Sequence, residues 1–247
     1  VAGTPLLFAT LGELITEKAG NLNLGVEGMM LMGAVMGFAV GLWTGNPFLA
    51  ILGAIGAGAV GSAIYAILTV TLRANQTVTG LTLTIFGGGF ASFVGQSFMG
   101  TPAPASVKVV FESMHVPLLS KIPVIGPMFF EQDIFIYFGY LITICASIYL
   151  WKTKKGLNLK AVGENAAAAD ASGINVNLYK YVHIILGGAL CGLGGAYMSL
   201  VTIPVWQENV VAGRGWIAVA LVIFASWKPS KALVGAFFFG GLNILGF

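Results

Sequence analysis

Eight apolar stretches separated by short polar breaks limit this chain more than any other feature. They are Thr4–Ile15, Leu24–Trp43, Pro47–Leu72, Thr77–Met99, Ile134–Trp151, Tyr181–Ile203, Trp216–Trp227 and Ala232–Phe247. A helix needs about 20 predominantly apolar residues to cross the hydrocarbon core of a bilayer. The first and seventh stretches are short by that measure. The runs do not alternate and are rich in Ala, Leu and Gly, which is the pattern of helices and not of strands. One soluble core could not absorb a chain that is 57% hydrophobic and 9% charged. Soluble domains carry about 25% charged residues. The expected fold class is all-α, a polytopic transmembrane helix bundle with about eight spans. Residues 1–247 form a single transmembrane domain with two substantial loops, 100–130 and 152–180.

The basic residues set the orientation, because cytoplasmic loops hold an excess of Lys and Arg. With residues 152–180 in the cytoplasm and spans alternating from there, Lys18, Arg73, Lys152, Lys154, Lys155, Lys160, Lys180, Lys228 and Lys231 fall inside. Lys108, Lys121 and Arg214 fall outside. One miscounted span would break that asymmetry. The extracytoplasmic loop Gly100–Phe130 has prolines at 102, 104, 117, 123 and 127, too many for long helices. No signal peptide is visible. Both ends run within apolar sequence, so the natural chain is expected to extend beyond each.

Glycines mark where helices approach closely. Gly33, Gly37, Gly41 and Gly45 recur along one face of the second stretch, Gly53, Ala57 and Gly61 along the third, and Gly188 and Gly192 along the sixth. Gly56, Gly58 and Gly61 spell G-x-G-x-x-G, but inside an apolar helix with no preceding strand, so no dinucleotide site is read there. Gly20–Met32 loosely echoes Gln207–Leu221 on the opposite face of the expected topology. That is the form of an inverted repeat, and chance similarity among glycine-rich helices produces it as well.

Polar residues interrupt the apolar runs in four places. Ionisable groups at membrane depth cost at least about 2.5 kcal/mol each and therefore face a cavity or a partner. The candidates for a substrate path are Asn21, Asn23 and Glu27, with Glu13 and Glu17 upstream; Asn75, Gln76 and Thr79; Gln96; and Trp206, Glu208 and Asn209. A structural reading stands beside each. Asn23 would cap the helix that holds Glu27 in its first turns. Glu208 would pair with Arg214, and Trp206 and Trp216 would sit in an interfacial aromatic belt. Asn75-Gln76-Thr77 is formally a glycosylation sequon, without meaning on a cytoplasmic loop. His115 and His183 are lone histidines, and Cys145 and Cys191 read as separate buried thiols, so no metal site is expected. There is no P-loop, no H-E-x-x-H and no nucleophile elbow. The chain is expected not to be an enzyme and to bind no cofactor or nucleic acid itself.

The longest polar interval, KTKKGLNLKAVGENAAAADASGINVNLYK (152–180), opens with four lysines in nine residues and continues as a short helix, polar on one side and alanine-rich on the other. Together with AGNLNLGVEGMMLMGA (19–34) and ENVVAGRGWIAVALVIFASW (208–227), its core GLNLKAVGENAAAADASGI (156–174) resembles the permease subunits of bacterial ABC importers in the ribose and branched-chain amino-acid superfamily, and among them the nucleoside permeases. The resemblance implies that residues 156–174 are a coupling helix docking on a cytoplasmic ABC ATPase through Gly163, Glu164, Asn165, Ala168, Asp170 and Gly173. It implies ATP and Mg on that partner, a second homologous permease subunit, and an extracytoplasmic substrate-binding lipoprotein. It also implies a fold of roughly ten spans in the bacterial cytoplasmic (inner) membrane, of which this chain is a fragment. The cargo class it implies is nucleosides or simple sugars. A second reading of the residues themselves is an ion- or proton-coupled secondary transporter using Glu27 and Glu208.

Overall fold

A computed structural model describes residues 2–112, 114–115 and 131–245. Each of the eight apolar stretches becomes a helix. In chain order they are α1 (Thr4–Lys18), α2 (Val26–Thr44), α3 (Pro47–Ala66), α4 (Gln76–Gly95), α6 (Ile134–Lys152), α9 (Val176–Tyr197), α10 (Arg214–Phe224) and α11 (Pro229–Leu245). Three shorter helices lie in the loops: α5 (Ala105–Val110), α7 (Lys154–Glu164) and α8 (Ala166–Ala171). Two-residue strands Met114–His115 and Glu131–Gln132 pair antiparallel, a local ladder within the loop read as a cap. Pro117, Lys121, Pro123 and Pro127 lie outside the described residues.

Wider π-helical turns extend α3 over Ile67–Thr71 and α9 over Met198–Thr202. With these extensions, five described helices are long and apolar enough to cross a membrane: Val26–Thr44, Pro47–Thr71, Gln76–Phe98, Ile134–Lys152 and Val176–Thr202. α1, α10 and α11 have 15, 11 and 17 residues and fall short of that length. α9 starts five residues before the apolar run, because the Asn175 side chain accepts from the Leu178 N–H and starts the helix inside the polar loop.

The core is a bundle of α1, α2 and α3 around α9, and its crossings are backbone on backbone. A Cβ placed on Gly33 would lie 2.3 Å from Gly192 Cα, and one on Gly58 would lie 2.2 Å from the Gly188 carbonyl oxygen. On Gly12 it would lie 2.3 Å from the Gly187 carbonyl oxygen. Only glycine permits these approaches, and dispersion and interhelical contact then replace the hydrophobic drive that is missing in lipid. The spacing in α2 is thus a packing face, with one exception. Gly45 ends the helix in the left-handed region (φ 62°), a conformation that disfavours side chains. In α3 the G-x-G-x-x-G glycines also serve packing: Gly58 and Gly61 touch neighbours, while Gly56 faces open space.

The helix ends gather into two groups. At one end Gly20 meets Gly163, the Gln76 side chain bonds the Leu22 N–H, and the Trp227 indole donates to Glu17. At the other, the Ser106 hydroxyl donates to the Gly45 carbonyl, the Trp206 N–H to the Thr101 carbonyl, and the Tyr197 hydroxyl to Asp133.

Candidate functional site: a braced polar knob above an unwound segment

The polar interval folds into two short helices at nearly every step dictated by side-chain capping. Thr153 accepts from the Gly156 N–H to start α7, and Asn165 accepts from the Ala168 N–H to start α8. Gly173, at φ 80°, closes α8 where a side chain would be strained. The apolar residues Leu159, Val162 and Ala169 are buried beneath the pair. Glu164, Asn165, Ala168, Asp170 and Gly173 face outward as a contiguous exposed ridge, while Gly163 is half-buried. The Lys160 ammonium stands 3.3 Å from the centroid of the Trp151 ring. Partial desolvation, and Lys18 nearby, hold its pKa below that of a free lysine, against the pull of Glu164.

Two glycines seat this knob on the bundle. A Cβ on Gly156 would lie 2.0 Å from the Tyr149 carbonyl oxygen of α6, and one on Gly163 would lie 2.4 Å from the Lys18 carbonyl oxygen of α1. With no side chain between them, displacement of α7 bears directly on the backbone of α6 and α1. Beside the Gly163 contact lies a cleft of about 300 Å³ lined by Glu17, Lys18, Asn21, Gln76, Lys160 and Glu164.

From this corner the chain enters the bundle as an unwound segment, residues 20–25. Irregular backbone is tolerated at membrane depth only where protein satisfies its polar groups. Side chains from three helices do this. The Leu22 N–H donates to Gln76 Oε1 at 2.8 Å and its carbonyl accepts from the Tyr65 hydroxyl at 2.6 Å. The Asn23 N–H donates to Glu13 Oε1 at 2.8 Å, and the Leu24 carbonyl accepts from the Thr84 hydroxyl at 3.0 Å. Asn21 and Asn23 are almost fully buried, and Asn21 donates to Thr69. The expected cap is different from what forms. Gly25 is the N-cap of α2, without a side-chain bond, and the Asn23 side chain accepts from the Gly25 N–H instead.

Glu27 caps a helix, but not its own. Its carboxylate accepts from the Gly213 N–H at 2.8 Å and the Gly215 N–H at 2.6 Å, so it closes the N-terminus of α10, 186 residues away. Gly215 makes room, since a Cβ there would lie 2.5 Å from Glu27 Cα. α10 is about 16 Å long at 1.5 Å per residue. Its far end reaches Trp227 and the end of α1, so its start lies inside the bundle. Gly28 packs against Leu83 and Thr84, which places Glu27 about 12 Å along α4. The two stretches that echo each other in sequence, 20–32 and 207–221, thus meet at one carboxylate.

The remaining candidates are dispersed. Thr79 is buried in α4. Asn75 is exposed and caps α4 by accepting from the Val78 N–H. Gln96, Glu208 and Asn209 are exposed at the other end. Trp206 is 1% exposed and packs against Phe38 and Phe98, a core residue and not part of a belt. No Glu208–Arg214 ion pair forms among the described residues; the Arg214 guanidinium donates to the Val211 carbonyl at 3.1 Å. His183 stacks on Tyr179 and bonds Tyr149, and no cluster among the described residues could hold a metal ion. Cys191 is buried as expected, but Cys145 is exposed on α6. Sequence reasoning missed Tyr65, Thr69 and Thr84, because single polar residues in apolar helices give no signal until the segment they serve is located.

Comparison with known proteins gives one family. The model of the branched-chain amino acid transport system / permease component family matches residues 1–247. A putative glucose ABC transporter permease protein of Haloferax volcanii is 40% identical, over 99% of this chain and 74% of its own length. A nucleoside ABC transporter permease protein of Lactococcus lactis is 36% identical, over 97% of this chain and 78% of its own. A guanosine ABC transporter permease protein of Bacillus subtilis is 33% identical, over 100% and 80%. All three organisms hold a second, more distant permease relative. No solved structure matches the chain.

Proposed function

The chain belongs to the branched-chain amino acid transport system / permease component family and is a multi-pass ABC transporter permease; from that premise we propose that it is the pathway subunit of an ATP-driven importer of nucleosides or simple sugars. It works beside a second, non-identical permease in the cytoplasmic (inner) membrane. A substrate-binding lipoprotein delivers cargo outside, and an ATPase holding ATP and Mg²⁺ drives it from the cytosol. Eight spans are contributed here to a fold of about ten, with residues 20–32 and 207–221 as corresponding parts of inverted repeats.

The observation that carries this reading is the knob. It is polar and exposed where a partner docks, and braced through Gly163 and Gly156 on bare backbone where motion is passed on. Glu164, Asn165, Ala168, Asp170 and Gly173 form the ATPase contact. Closure of the ATPase dimer presses α7 against the end of α1 and shifts the unwound segment that carries Asn21 and Asn23 toward Glu27, a rigid-body switch between two packings. Cargo is the relatives' cargo class, and the substrate path borders the polar residues of that segment. The secondary-transport alternative is disfavoured by geometry. Both oxygens of Glu27 are occupied by backbone donors, and Glu208 lies exposed at the other end of the bundle.

The test is Glu164→Lys in the assembled transporter. It should abolish uptake and the stimulation of ATP hydrolysis by loaded binding protein, with normal membrane insertion. Uptake at the wild-type rate would remove the coupling assignment. Competition of labelled guanosine uptake by glucose and by other nucleosides then assigns the cargo.

A further inference from the structure

Glu13 and Glu17 stand one turn apart on α1, a spacing that sets their carboxyl groups side by side on one face of the helix. Glu13 is fully buried. One oxygen of each is supplied by a fixed N–H: Glu13 Oε1 by the Asn23 backbone and Glu17 Oε2 by the Trp227 indole. The other two, Glu13 Oε2 and Glu17 Oε1, are shut from solvent and receive no donor from the protein.

The surrounding donors are engaged elsewhere. The Tyr65 hydroxyl donates to the Leu22 carbonyl, Thr16 to the Gly12 carbonyl, and Thr69 to the Tyr65 carbonyl. The Asn21 amide donates to Thr69, and the Cys191 thiol faces the Ala9 carbonyl. Lys18 sends its ammonium over the Trp227 ring, 5.8 Å from the centroid. Lys160 and Glu164 of α7 border the adjoining cleft. A fully buried carboxylate and a half-buried one side by side resist ionising together, and a buried acceptor without a donor is costly. A single hydrogen atom between the two free oxygens completes the set.

We infer that Glu13 and Glu17 hold one proton between them, a carboxylic acid donating to a carboxylate, and that this pair latches the unwound segment to the turn after α10. Asn23 hangs from one end of the latch and Trp227 from the other. The turn it holds carries two non-glycine residues at positive φ, Ser226 and Trp227, so it depends on outside support. Both glutamates are positioning residues. The inference is independent of the cargo and of the ATPase contact.

Infrared spectroscopy of the assembled transporter, with glutamate labelled at its carboxyl carbon, tests it. At neutral pH the wild type should show one protonated glutamic acid carbonyl band per chain, shifted by the label and by deuterium exchange. Glu13→Gln and Glu17→Gln each place an amide N–H where the acid O–H was. Both should retain the wild-type unfolding temperature and lose the band entirely, and the exposed control Glu208→Gln should keep it. Absence of the band in the wild type overturns the inference whether or not the variants fold. So does its persistence in both glutamine variants. If sodium at constant ionic strength raises the unfolding temperature of the wild type and not of Glu13→Gln, the pair holds a metal cation and the shared proton is wrong.

Discussion

Replacing Glu27 with Ala removes the acceptor for the Gly213 and Gly215 N–H groups at the buried start of α10. Hydrogen bonds to a charged group contribute about 1.5–3 kcal/mol each, and those bridging membrane helices average only about 0.6 kcal/mol. The geometry selects between these. Both donors are backbone groups at a helix end, where no intrahelical partner exists. The Gly215 site is closed to solvent, so its N–H loses the carboxylate without gaining water in its place. The low end of the charged range applies, giving a loss of about 3 kcal/mol for the pair. Glu27→Gln keeps one acceptor and turns an N–H₂ toward the other donor, for a loss of about half that or somewhat more. Glu208→Ala, on the exposed surface, should change stability by less than about 0.5 kcal/mol. The assay is thermal unfolding of the detergent-purified transporter, followed by loss of the monodisperse peak. A loss below about 1 kcal/mol for Glu27→Ala would show that the carboxylate is incidental to α10.

Three further outcomes follow from the same packing. Gly192→Leu forces a side chain into the Ala54 and Gly58 backbone and should destabilise by about 3 kcal/mol or more, or abolish assembly, measured by the same unfolding assay. Gly163→Leu should lift α7 from the Lys18 carbonyl, so that uptake falls at least tenfold while the unfolding temperature changes little; equal uptake in vesicles refutes the bracing role. Tyr197→Phe leaves Asp133 Oδ2 without its 2.6 Å donor and should cost about 1.5–3 kcal/mol in unfolding free energy.

The helices were legible in the sequence because their signal is length and apolarity, which need no partner to be read. Seven of the eight apolar stretches match their helices to within a few residues at the start, and α9 departs only because Asn175 nucleates it early. The glycine faces in α2 and α9 were legible for the same reason, as spacing. What remained hidden is pairwise. Glu27 looks like a residue in the first turn of its own helix, and no local pattern says that its partner lies at Gly213. The asparagines at 21 and 23 read as pathway residues or a cap, while their bonds hold an unwound segment. That segment's length, six residues, is below what any periodicity can report. The exposed ridge at 164–173 was found from polarity alone, but the glycine seats beneath it required the fold.

A carboxylate that closes a helix end has both oxygens held by fixed donors and turns no free acceptor toward a passing solute. The start of α10 is the positive pole of a half-length dipole aimed into the bundle. With Glu27 already upon it, an anion finds no attracting pole at that depth and a cation finds no bare carboxylate. At this point the negative carboxylate and the positive helix pole largely offset one another.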